Sequence, residues 1–138
     1  MEQLLKAISK YVKVSETLRK ELENRLNFET FKKREIILNE SQVCTKSYFI
    51  QQGILRLYYL KDGREITEFF CAEYEWINSP KSFIKQEIDE YYIDSIEESQ
   101  VWSLHLNDLM DLFIHYPEME RYARMYTSPQ NSNQRLSW

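Results

Sequence analysis

Apolar positions recur every three to four residues at the start of the chain and every second residue through its middle. That change of period predicts helices first and strands after. Leu4, Leu5, Ile8 and Val12 lie at helical spacing, which sets one stripe against a core. Ser15-Glu16-Thr17-Leu18 reads as a capped start for a second helix ending near Asn27, with Leu18, Leu22 and Leu26 as its apolar stripe. From residue 28 to 38 the residues turn β-like: Phe31 and Ile36-Ile37-Leu38 flank the polar Lys32-Lys33-Arg34-Glu35, read as a solvated turn before a strand. Asn39-Glu40-Ser41-Gln42 is the next turn.

Both glycines lie within residues 47–70, and each falls where a turn is expected. An apolar run at Tyr48, Phe49 and Ile50 meets Gly53; a second, from Ile54 to Leu60, meets Lys61-Asp62-Gly63; a third, from Ile66 to Phe70, follows. Asp-Gly between β-rich runs marks a hairpin, because Gly takes positive φ without a Cβ penalty and Asp tolerates the left-handed region. Ile54, Arg56 and Tyr58 share one face of the second strand, with Leu55, Leu57 and Tyr59 on the other. Neither face is fully polar, so the strand is covered on both sides or lines a cavity. Beyond Phe70 the pattern predicts a short helical excursion at residues 79–85 and strands at 91–96 and 100–106. Asn107 is then read as the N-cap of a helix over 108–115. Pro117 suits the first turn of a further helix, with Met119, Tyr122, Ala123 and Tyr126 on one stripe. Helices, then many strands, then helices predict an α+β domain with a mainly antiparallel sheet.

The 138 residues suit one domain; 43% hydrophobic and 14% aromatic content suffices for a core. Net charge is −4, with 18 basic and 22 acidic residues interleaved, so the chain alone carries no electrostatic footprint for nucleic acid. No apolar run approaches a membrane span, and MEQLLKAISK lacks the features of a signal peptide, so the expected location is the cytoplasm. Cys44 and Cys71 are read as reduced thiols, too few for a disulfide framework.

The spacing from Tyr48-Phe49-Ile50 through Gly53 and Arg56 to Gly63, Glu65 and Phe69-Phe70 resembles the effector domain of the Crp/Fnr family of bacterial transcription regulators. The likeness runs upstream through FKKREIILNESQ and downstream through YIDSIEESQVWSLHLNDLMDLFIHYPEM, covering about residues 1 to 125. It implies a cyclic-nucleotide-binding-type antiparallel β-roll of the jelly-roll kind, flanked by helices. On that frame an effector domain occupies residues 1–126, with helices at 1–27, the roll at 28–106 and C-terminal helices at 107–126, and residues 127–138 form a loose tail. The resemblance also implies a small-molecule effector, a homodimer paired through Met119, Tyr122, Ala123 and Tyr126, and a winged helix-turn-helix after the dimer helix, which this chain stops too early to hold. The Fnr branch holds an iron–sulfur cluster, which needs about four thiolates; two cysteines do not supply them.

In cyclic-nucleotide-binding members, a Gly-Glu pair opens a short helix and holds the ribose, and an Arg followed by Ser or Thr holds the cyclic phosphate. By its flanking residues the first pair falls here on Asn78-Ser79 and the second on Glu90-Tyr91, and none of the four matches. At ~4 Å and an effective dielectric near 20, a carboxylate repels a phosphate by about 4 kcal/mol, as much as an arginine would attract it. The exchange is enough to remove micromolar binding. Lys81, Lys85 and Arg56 are candidates to restore a positive pocket, but in the excursion itself Glu87, Asp89 and Glu90 outnumber Lys81 and Lys85. A different ligand, or none, is expected; Arg56, Trp76, Phe83 and Tyr92, with Tyr74 and Tyr91, are the candidate pocket lining for something apolar or planar.

No cofactor or metal is expected. His105 and His115 are the only histidines, too few for a cupin-type metal site, and neither cysteine has a local base to activate it. The residues therefore offer no catalytic signature, and the resemblance implies a non-enzymatic sensor domain of a Crp/Fnr-like regulator. The rival readings are a stand-alone interaction module with a degenerate nucleotide pocket and, more remotely, a cupin-type metalloenzyme.

Overall fold

A computed structural model describes residues 1–128. Two helices open the chain, α1 (Glu2–Ser9) and α2 (Glu16–Arg25). Ser15 caps α2, its hydroxyl accepting from the Leu18 amide at 3.2 Å. Leu4, Ile8, Leu18 and Leu22 are buried, as the helical stripes predict, although α1 stops short of Val12.

Eight strands follow: β1 (Asn27–Phe31), β2 (Ile36–Leu38), β3 (Lys46–Gln52), β4 (Leu55–Lys61), β5 (Arg64–Cys71), β6 (Trp76–Ile77), β7 (Tyr92–Ser95) and β8 (Ser99–His105). A short helix, α3 (Pro80–Lys85), lies between β6 and β7. The strands form two four-stranded antiparallel sheets, ordered β1-β8-β3-β6 and β2-β7-β4-β5. The class is α+β with an antiparallel roll flanked by helices.

The two glycines have different work. Asp62 and Gly63 both take positive φ (53° and 78°), the signature of a two-residue hairpin between β4 and β5. Gly53 (φ 115°) does not make a hairpin, because β3 and β4 lie in different sheets. It turns the chain across the edge of the roll, where a Cβ would stand 2.8 Å from the Ser99 Cα. The Asn39–Gln42 turn forms as expected, with Asn39 Oδ1 accepting from the Ser41 amide at 2.9 Å.

The C-terminal helices are α4 (Leu106–His115) and α5 (Pro117–Tyr126). The cap of α4 is His105, whose Nδ1 accepts from the Asn107 amide at 3.0 Å, so the cap expected at Asn107 moves two residues upstream. Pro117 sits in the first turn of α5.

The stripe Met119, Tyr122, Ala123 and Tyr126 is a correction. All four are buried within the single chain, so they are not a free pairing surface. Tyr122 accepts from the Trp76 indole N–H at 2.8 Å, and the Tyr126 hydroxyl accepts from the Trp76 amide at 3.1 Å. The apolar stripe docks α5 on β6, because that is where its buried area is matched. Residues 129–138, most of the expected loose tail, lie outside the described residues.

Candidate ligand-binding site

Strand alternation in β4 sets the geometry. Leu55 and Leu57 point into the roll and join its core. Arg56 and Tyr58 point the other way, which corrects Arg56 as a pocket residue. The Arg56 guanidinium, 7% exposed, forms a fork on Asp94 of β7 (Nε to Oδ1 2.8 Å, Nη2 to Oδ2 3.1 Å) and reaches Glu65 of β5 at 2.7 Å. It lies 4.1 Å over the Tyr58 ring, and Tyr58 stacks on Tyr92 at 5.0 Å. Arg34, held at positive φ in the β1–β2 turn, closes the group at 3.7 Å from Asp94 and 3.6 Å from Glu65. Two cations and two carboxylates balance; Arg56 and Asp94 are the buried pair, matched as buried charges must be, and Arg34 and Glu65 lie at the exposed rim. The hydrogen bond from Arg56 holds the Glu65 carboxyl below its usual range against a smaller opposing effect of burial. The network fixes β7 against β4 and β5, and so places the residues just before β7.

On the inner side lies a hollow of about 350 Å³, lined by Leu57, Glu68, Phe69, Pro80, Lys81, Asp89, Glu90 and Tyr91. The first turn of α3 forms one wall and the segment entering β7 the other. Glu90 and Tyr91 therefore meet Pro80 and Lys81 across the hollow. Burial first, then the charges of Glu68, Glu90 and Asp89, push the Tyr91 phenol up. A second, more open hollow lies beyond the same segment, lined by Glu40, Leu60, Ile88, Asp89, Glu90 and Tyr92. There Glu40 accepts from the Tyr92 hydroxyl, which pushes that phenol up to about 12.

The remaining candidates are placed elsewhere. Asn78 and Ser79 are fully buried behind α3 and do not line the hollow: Asn78 Nδ2 donates to Ser47 Oγ at 3.2 Å, and the Ser79 amide donates to Cys44 Sγ at 3.4 Å. Their short polar side chains fill the seat of the helix. Trp76 and Phe83 are core residues, and Tyr92 lies on the outer face with Tyr58, so none of these lines the inner hollow. Strand period and burial explain each shift. The sequence reading did not find the Arg56–Asp94 fork, although a charge amid apolar strand residues in both LRLYY and YIDS was its trace. Glu68, Phe69 and Pro80 had no such trace.

His115 contacts Asp111 on α4 through Nδ1 at 3.2 Å, far along the helix from the cap made by His105. Among the described residues no group of three side chains is arranged to hold a metal ion. Cys44 and Cys71 are buried free thiols, and burial pushes the Cys44 thiol up. No helix among the described residues is long and apolar enough to cross a membrane.

Solved structures share this fold. The catabolite activator protein of Thermus thermophilus superposes with a TM-score of 0.67 at 15% identity, over 80% of this chain and 51% of that one. A protein from Eubacterium rectale, described as a transcriptional regulator of the Crp/Fnr family, gives 0.66 at 22% identity, over 80% and 52%. The N-terminal domain of a Streptomyces coelicolor transcriptional regulator gives 0.66 at 17% identity, over 86% and 83%. This chain thus spans about half the length of the first two. No curated protein matches the sequence significantly. The family profile described as a cyclic nucleotide-binding domain matches residues 28–116, from the first strand through α4, and the chain belongs to that family.

Proposed function

We propose that this chain is the sensor domain of a Crp/Fnr-like regulator, which takes a small molecule into the hollow beneath α3 and relays its state to a DNA-binding domain. The observation that carries this reading is the position of the hollow. Pro80 and Lys81 line it, and Trp76, just upstream on β6, bonds Tyr122 and Tyr126 of α5. A ligand that shifts α3 therefore pulls on the strand that seats the C-terminal helix. Pairing of two copies through α5 would use its outward Arg121, Arg124 and Met125, because the inward stripe is occupied. The reading does not extend to ordinary cyclic AMP. The hollow presents Glu68, Asp89 and Glu90 against Lys81 alone, and a buried phosphodiester needs cationic donors.

The test is amide-shift mapping of the domain against a panel of nucleotides, organic acids, amines and neutral metabolites. The expected result is saturable shifts at Leu57, Phe69, Lys81 and Tyr91 that spread to Tyr122 and Tyr126. A panel that moves none of these residues would overturn the reading.

A further inference from the structure

β5 is the last strand of its sheet, with β4 on one side and no strand on the other. Its hydrogen-bonding phase follows from the hairpin. Lys61 and Arg64 close the two-residue turn as a hydrogen-bonded pair, and antiparallel pairs alternate from there, so Ile66, opposite Tyr59, turns its N–H and C=O to β4. Glu65 and Thr67 turn theirs outward. Neither has a backbone hydrogen bond to another segment among the described residues. Glu68, left over between the Tyr58–Thr67 and Leu57–Phe69 pairs, is a bulge that ends the regular edge, so the free stretch runs from Arg64 to Glu68. Arg64, Ile66 and Glu68 stand on the side of Leu57, with whose side chain Glu68 shares the inner hollow. All three are exposed, Ile66 by 36%, and neither charge has an ion-pair partner among the described residues. An open backbone edge of this kind is a template for a further strand.

We propose that β5 pairs with β5 of a second copy of this chain, antiparallel about a two-fold axis at Ile66. The inference goes beyond the sensor reading and does not depend on it. Charge and backbone phase select both the partner and the register. With the axis at Ile66, Glu65 and the partner's Thr67 exchange both backbone hydrogen bonds, Arg64 stands opposite the partner's Glu68, and symmetry repeats each pair. Ile66 then meets its copy as the close pair, the Cα atoms about 4.5 Å apart. Moving the axis to Glu65 sets that carboxylate on its copy, and moving it to Thr67 runs the pairing into the bulge. A parallel pair in register sets Arg64 on its copy. The stretch is short, so the association is weaker than that of a standard interface.

The test is sedimentation equilibrium of the full chain up to millimolar concentration, where a monomer–dimer equilibrium is expected. Arg64→Glu and Glu68→Arg should each weaken it about tenfold or more, because each turns both ion pairs into like-charge pairs. Mixed in equal amounts, the two variants should associate as tightly as the original chain, since each then meets the opposite charge on the other. Ile66→Cys should give a disulfide-linked dimer on oxidation with diamide, whereas Ile36→Cys, at a position 53% exposed on β2, should not. A chain monomeric at millimolar concentration would overturn the proposal, as would a mixture that associates no better than its two components, or equal cross-linking at the two cysteine positions. Self-association that is lost with Arg121→Glu and indifferent to both β5 changes would overturn it in favour of pairing through α5.

Discussion

Single residues carry different loads in this fold, and the two glycines show it. Gly63 has open space where a Cβ would go and only a positive φ to satisfy, so Gly63→Ala should cost about 1 kcal/mol. Gly53→Ala faces both an unfavourable φ and the Ser99 backbone, so about 3 kcal/mol or more is expected. Urea unfolding of the two variants checks the order; equal costs would contradict the tight crossing at Ser99. Asp94→Asn should cost about 3 kcal/mol, because it strips the buried Arg56 of the carboxylate it grips in two places. The pH dependence follows from Glu65. Its folded pKa lies below the ordinary 4.5, so its contribution is fully present above that value and is lost as pH falls through the lower folded one. Acid titration of stability should show that limb, and Glu65→Gln should flatten it. The Asp62-Gly63 hairpin was legible in the sequence because a hairpin is decided by adjacent residues. The Arg56–Asp94 fork was not, because its members stand 38 positions apart and meet only through the β4–β7 register.

At the scale of elements, local signals placed the helices and most strands, and long-range packing decided what their faces do. The α5 stripe was readable as apolar from its spacing, but spacing does not say whether the matching surface belongs to the same chain. Trp76 supplies that surface. Tyr122→Phe, which removes the acceptor of the Trp76 indole N–H, should cost about 1 to 2 kcal/mol and shift tryptophan fluorescence. It should leave the sedimentation behaviour unchanged. A variant that altered assembly at undiminished stability would instead return this stripe to an interface role. The cassette region was legible in outline: an excursion between strands, with Glu90 and Tyr91 at its far end. What the sequence could not reveal is that Asn78 and Ser79 turn inward under the helix, since α3 is too short for its faces to be told apart by period.

For the whole molecule, the order of strands matters more than their number. β8 lies between β1 and β3 in one sheet, and β7 lies between β2 and β4 in the other. The last two strands among the described residues are thus interior slats of both walls, and β1 and β2 have no strand neighbour until they arrive. A growing chain must hold β2 without a strand partner until β7 has emerged and β1 until β8 has, which exposes sticky edges and favours slow closure. The same interleaving implies that a nick between α3 and β7 yields two pieces helpless apart. Mixed together, residues 1–86 and 87–138 should reassemble into one cooperative unit, each serving as the other's template.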